Sequence, residues 1–146
     1  MKVYFDMCSL QRPLDDKSQL RVLVEAQAVL GLLALCESGQ CDLIASDALV
    51  FETDANPDAV RRVFVGQAIA QATQFIKTDD QLKVRAQTFV DAGIKPLDAL
   101  HLASAIQAQA DYFCTCDDRL LRKASNLNTM PTQVVSPLEL VSEIEP

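Results

Sequence analysis

The chain has 146 residues, 49% of them hydrophobic, which excludes a disordered polymer and suits a single domain over 1–146 with a substantial core. Its 13 Lys and Arg against 20 Asp and Glu leave a net charge of −7, so it does not coat nucleic acid through a positive field of its own. An enzyme that meets phosphate through bound cations stays open. Aromatics make up only 5% and Trp is absent, which leaves Leu, Val and Ala to fill the interior. Four Gly and six Pro are too few for an all-β protein with many tight turns.

In chain order, Lys2 to Phe5 reads as a short buried strand, because Val3, Tyr4 and Phe5 favour extended backbone. It stops abruptly at Asp6. Arg12-Pro13 and Asp15-Asp16 mark a polar loop. Ser18 to Ser38 has the composition of a long helix, ended by Gly39. Its second half is apolar nearly all round, so that half is either sandwiched or at a subunit interface.

Cys41 to Ala45 is a second buried strand, and Ser46 caps a short helix through Glu52. Asn56-Pro57 restarts the chain into a helix through Ala72, with Val60, Val63, Phe64 and Ala68 on one side. Asp80 to Ala92 is an amphipathic helix closed by Gly93, and Pro96 opens another that runs to about Gln109. Asp111 to Thr115 reads as a third strand, Asp118 to Ser125 as a short helix, Val134-Val135 as an edge strand and Pro137 to Ile144 as a terminal helix. Strands alternating with helices imply right-handed crossovers. The expected fold is α/β: a small, mostly parallel sheet between two helical layers.

The five Cys are an odd number, and Asp6 interrupts the start of the chain before any signal-peptide core forms. Reduced thiols in a cytoplasmic chain are the expected state. Ala28 to Cys36 is the most apolar stretch and is too short to span a bilayer, so no membrane partner is expected. Cys114-x-Cys116 with Cys36 and Cys41 is poorly spaced for zinc.

The acidic residues are more informative. Ligands of open parallel sheets bind beyond the carboxyl ends of the strands, and two acids stand at such ends, Asp6 and Asp117. Asp98 falls in the first turn after Pro96, and Glu52 ends the helix after the second strand. Taken singly, each has an ordinary structural reading. Asp117 suits a helix cap, Asp98 complements a helix dipole and Glu52 suits a solvated surface. Taken together, carboxylates converging at ~4–5 Å repel by roughly 3–4 kcal/mol per pair at an effective dielectric near 20. A hard divalent cation, Mg²⁺ or Mn²⁺, removes that repulsion and suits phosphodiester chemistry.

Four blocks in this order, VYFDMCSLQRP, LVFETDANP, LDALHLASA and ADYFCTCDDRLL, resemble the PIN-domain ribonucleases, including the VapC-like toxins of toxin–antitoxin pairs. The resemblance covers the whole chain. It implies a PIN-like three-layer fold and metal-dependent endonucleolytic cleavage of RNA by an activated water, leaving a 5′-phosphate. Its acidic quartet is Asp6, Glu52, Asp98 and Asp117, with Asp118 close enough to replace or assist Asp117 as a metal ligand. Many relatives carry Asn or Ser where this chain has Cys8, which supplies no amide hydrogen bond. The implied partners are a cognate antitoxin and a second copy of the chain.

Cys8, Ser9, Thr115 and His101 are candidates for orienting the metal ligands, and His101 shares a helix face with Asp98. A packed core histidine is the plainer reading of His101. Arg119, Arg122 and Lys123 are the best RNA-backbone contacts, with Arg61-Arg62 on another helix. All of these equally suit solvated helix faces. A receiver domain is set aside, because only Asp6 follows the first strand where an acidic pair is needed. A non-catalytic interaction module of the same fold is the alternative to the nuclease.

Overall fold

A computed structural model describes residues 1–144. Five parallel strands form one sheet: β1 (Lys2–Phe5), β2 (Asp42–Ser46), β3 (Gln74–Ile76), β4 (Tyr112–Cys114) and β5 (Gln133–Val135). Among the described residues the helices are α1 (Met7–Gln11), α2 (Leu20–Glu37), α3 (Asp47–Asp54), α4 (Ala59–Ala70), α5 (Asp80–Asp91), α6 (Pro96–Gln107), α7 (Asp118–Ala124) and α8 (Pro137–Ile144), with a 3-10 turn over Arg12–Leu14. The architecture is three-layer α/β/α.

Strand order is β3-β2-β1-β4-β5, so β1 is central. It pairs with β2 through Val3↔Leu43 and with β4 through Tyr4↔Phe113. Val3, Tyr4 and Phe5 are each at most 1% exposed. That is why the strand is a continuous apolar run, since a central parallel strand is covered on both faces. Each such side chain contributes roughly 1.5–3 kcal/mol through burial. The chain builds outward through β2 and β3, then crosses back to lay β4 and β5 on the other side. The order therefore reverses between β1 and β4, which opens a crevice beyond their carboxyl ends.

Helix ends follow local chemistry. Asp58 caps α4 by accepting from the Val60 N–H at 2.9 Å, and Asp79 caps α5 by accepting from the Leu82 N–H at 2.8 Å. Gly39 (φ +85°) and Gly93 (φ +101°) take the left-handed conformation just beyond α2 and α5, as the sequence predicts. The 3-10 turn is fastened to α2 by an ion pair between the half-buried Arg12 and the buried Glu25, Nη2 to Oε1 at 3.0 Å. No helix among the described residues is long and apolar enough to cross a membrane.

Several elements differ from the sequence reading. The loop expected after Asp6 begins with α1. Strand β3 was not predicted: it has three residues at the sheet edge, and only Ile76 is buried. On α4 the buried residues are Val65 and Ala68, whereas Val60 and Val63 are 68% and 61% exposed. Helix α4 therefore turns the expected apolar side partly outward. The second half of α2 buries Val29, Leu32 and Cys36 but exposes Leu30.

Candidate active site

Asp6 leaves β1 directly into α1 and is the N-cap of that helix. Its Oδ1 accepts from the Ser9 N–H at 3.1 Å and from the Cys8 thiol at 3.1 Å. The side chain is almost wholly buried, and burial raises its pKa, partly offset by hydrogen bonds from Thr115, Cys8 and Ser9. Asp117 mirrors this at the end of β4. It caps α7 by accepting from the Arg119 N–H at 2.9 Å, while its own N–H donates to Thr115 Oγ1 at 3.0 Å. The two strands flanking the switch point thus each end in a capping aspartate.

Asp98 enters from the first turn of α6 and is half-buried. Its pKa is raised by burial and then by the charges of Asp6, Asp117 and Glu52, with His101 acting the other way. Four carboxylates from four separate segments are therefore electrostatic neighbours at one end of the sheet. Glu52, on α3, reaches the same place with Oε1 2.6 Å from His101 Nε2.

The supporting residues surround this cluster. The Cys8 thiol is held above its ordinary range by the neighbouring Cys116 thiol and the Asp6 charge, so it stays protonated and acts as the donor. Ser9 Oγ donates to the Cys114 carbonyl at 3.1 Å, fastening α1 to β4. Thr115 Oγ1 lies 3.5 Å from Cys8 Sγ. His101 is buried and also contacts the Tyr4 hydroxyl through Nδ1 at 2.7 Å.

Asp118 behaves differently from the quartet. Its two oxygens accept from Arg21 at 2.7 and 2.8 Å, which lowers its pKa, and its charge is not among those acting on Asp98. Arg119 and Arg122 are exposed, while Lys123 Nζ is engaged by the Gly93 carbonyl at 2.7 Å. Arg61 fastens α4 to the 3-10 turn, pairing with Asp15 at 2.8 Å. Sequence reasoning did not single out Tyr4, Ser46 or Arg21 for the site. Tyr4 reads as core and Ser46 as a cap, and no local pattern marks their partners.

Among the described residues, no three His, Cys, Asp or Glu side chains lie close enough together to ligate one ion directly. The donor set still fits Mg²⁺ or Mn²⁺. Mg²⁺ is usually held by one or two carboxylates, with water and substrate phosphate completing its shell. A half-buried Asp98 beside other carboxylates is the imbalance a divalent cation relieves.

Fold and site together define an α/β/α protein with a carboxylate cluster at the sheet switch point. The PIN domain family matches residues 28–126, a segment holding Glu52, Asp98 and Asp117. The chain belongs to the PIN-domain family, whose members are generally nucleases. Among solved structures it is similar to FitAcB from Neisseria gonorrhoeae, with 14% identity and a TM-score of 0.55 over 93% of this chain and 98% of that one. At that identity the likeness shows the fold alone. No curated protein matches the chain at a significant level.

Proposed function

We propose that this chain, as one domain over 1–146, is a Mg²⁺- or Mn²⁺-dependent endoribonuclease and the toxin of a cytoplasmic toxin–antitoxin pair. The observation that carries the reading is geometric: Asp6 and Asp117 cap the helices that leave β1 and β4, Asp98 stands in the first turn of α6, and Glu52 is held at 2.6 Å by His101 of that same helix. Asp6, Glu52, Asp98 and Asp117 would hold the ion directly or through water. When bound, it supplies Lewis acidity at the phosphodiester and a water of lowered pKa.

The chain's own residues do the rest. Burial and the Ser9 and Cys8 hydrogen bonds fix the Asp6 carboxylate just beyond the end of β1. Thr115 supports the Asp117 backbone, and His101 engages Glu52. Arg119 and Arg122 attract the RNA backbone from the α7 face. The antitoxin and a homodimer rest on the resemblance of the four sequence blocks to VapC-like toxins.

The absence of a directly ligating triad favours a second reading, a catalytically inactive PIN-like interaction module. Incubation of the purified chain with a mixed RNA pool and Mn²⁺ separates the two. Cleavage that EDTA and Asp98→Asn both abolish supports the nuclease. No cleavage, and no Mn²⁺ effect on melting, supports the module.

A further inference from the structure

A line of buried polar atoms runs from the start of α3 to Glu52. The Leu49 N–H donates to Ser46 Oγ at 3.2 Å. Ser46 Oγ lies 2.6 Å from Tyr4 Oη, which lies 2.7 Å from His101 Nδ1, and His101 Nε2 lies 2.6 Å from Glu52 Oε1. Ser46, Tyr4 and His101 are each at most 1% exposed, so bulk water does not reach them.

Proton counting leaves one arrangement that satisfies every atom. The Leu49 N–H can only donate, which leaves Tyr4 Oη as the one contact able to accept the Ser46 proton, and the Glu52 carboxylate accepts at the other end. Ser46 then donates to Tyr4, Tyr4 donates to a bare Nδ1, and Nε2–H donates to Glu52. A proton on Nδ1 alone would turn a lone pair toward the carboxylate. Protons on both ring nitrogens would reverse the Tyr4 hydroxyl and leave the Ser46 proton with no acceptor among its two contacts.

We propose that Ser46 and Tyr4 are positioning residues that act through His101. They hold its ring with Nδ1 toward Tyr4 and Nε2–H toward Glu52, and so pin Glu52 Oε1 while leaving Oε2 as the oxygen available to a cation. The proposal deepens the nuclease reading and rests on it for the role of Glu52. Orienting partners of this kind are typically worth 10–100-fold in metal affinity.

His101 is the only histidine in the chain, so ¹⁵N-histidine labelling of the tag-free, metal-free protein reports this ring alone. The expected spectrum is that of a ring protonated at Nε2 toward Glu52, with Nδ1 accepting a hydrogen bond from Tyr4. Tyr4→Phe keeps the ring that stacks on Phe113 at 5.5 Å, and should move Nδ1 to the position of a free lone pair. By calorimetric titration, Tyr4→Phe should weaken Mn²⁺ binding about 10-fold in the wild-type background and less than about twofold in the Glu52→Gln background. A merely structural role would weaken binding equally in both.

A proton on Nδ1 in the wild type, an unmoved Nδ1 resonance in Tyr4→Phe, or equal losses in the two backgrounds overturns the proposal. If the wild type binds no Mn²⁺, the nuclease reading fails, and the relay stands or falls on the two ring resonances.

Discussion

Replacing Asp6 by Asn keeps an oxygen where Oδ1 accepts from the Ser9 N–H and removes the charge buried in the crevice. Asn and Asp cap helices about equally well, so the cap survives. Losing the charge at the N-terminus of α1 costs about 0.3–1 kcal/mol. Relieving burial and one neighbouring carboxylate returns on the order of 1–3 kcal/mol at an effective dielectric near 20. Without metal, Asp6→Asn is therefore expected to be as stable as the wild type or up to ~2.7 kcal/mol more stable. Asp6→Ala, which also removes the cap, falls below Asp6→Asn by about 0.5–2 kcal/mol.

Metal reverses the order. At 100 times its Kd, Mn²⁺ adds about 2.7 kcal/mol to a protein that binds it only when folded. For a chain of this length that is roughly 5–11 °C in Tm. Wild type should show this rise and Asp6→Asn should not. Scanning calorimetry in EDTA and in Mn²⁺ measures both effects. An Asp6→Asn variant melting more than about 5 °C below wild type in EDTA, or keeping the full Mn²⁺ rise, would refute the charge-relief reasoning.

The pKa values of Asp6 and Asp98 are both raised on folding, so the folded state binds more protons than the unfolded one across that window. Stability of the metal-free protein should fall as pH climbs from the ordinary Asp range through the raised values, and Asp98→Asn should flatten the slope in urea denaturation across pH. Arg21→Ala breaks its half-exposed pair with Asp118 and its longer contact, 3.6 Å, to the buried Glu25, which keeps Arg12 at 3.0 Å. It should cost no more than ~1 kcal/mol and leave the Mn²⁺ response intact, measured by melting with and without the ion. Glu25→Ala strands the Arg12 guanidinium, which keeps only Asp15 at 3.1 Å. A loss of about 1–3 kcal/mol, that of leaving a partly buried polar group unsatisfied, is expected in urea unfolding. Arg119→Ala with Arg122→Ala should weaken RNA binding in filter assays and make its log–log salt slope shallower by about 0.7 per lost contact.

Much of the architecture is legible because local signals agree with it. Ser46 and Asp117 cap the helices they precede, Gly39 and Gly93 end α2 and α5, and the VYF run belongs to a strand covered on both faces. What escaped was short or set by surroundings. Strand β3 exists because the backbone of β2 is there to pair with it, through Ala45↔Phe75, and a three-residue QFI carries no period of its own. Asp6 reads as a loop residue because α1 has only five residues. Val60 and Val63 are exposed although their spacing suits a buried face, since the packing of α4 decides which face is covered.

Three of the quartet, Asp6, Asp98 and Asp117, stand beside a strand end or helix start, and these features are written locally in side-chain pattern and backbone preference. Their type and order also carry the resemblance to a nuclease family. Only the tertiary structure decides that four distant carboxylates feel one another, that Asp118 belongs to Arg21, and that Tyr4 reaches Ser46 and His101. Charge repulsion and hydrogen bonding act over a few ångströms of space, and the crossover between β1 and β4 creates those distances.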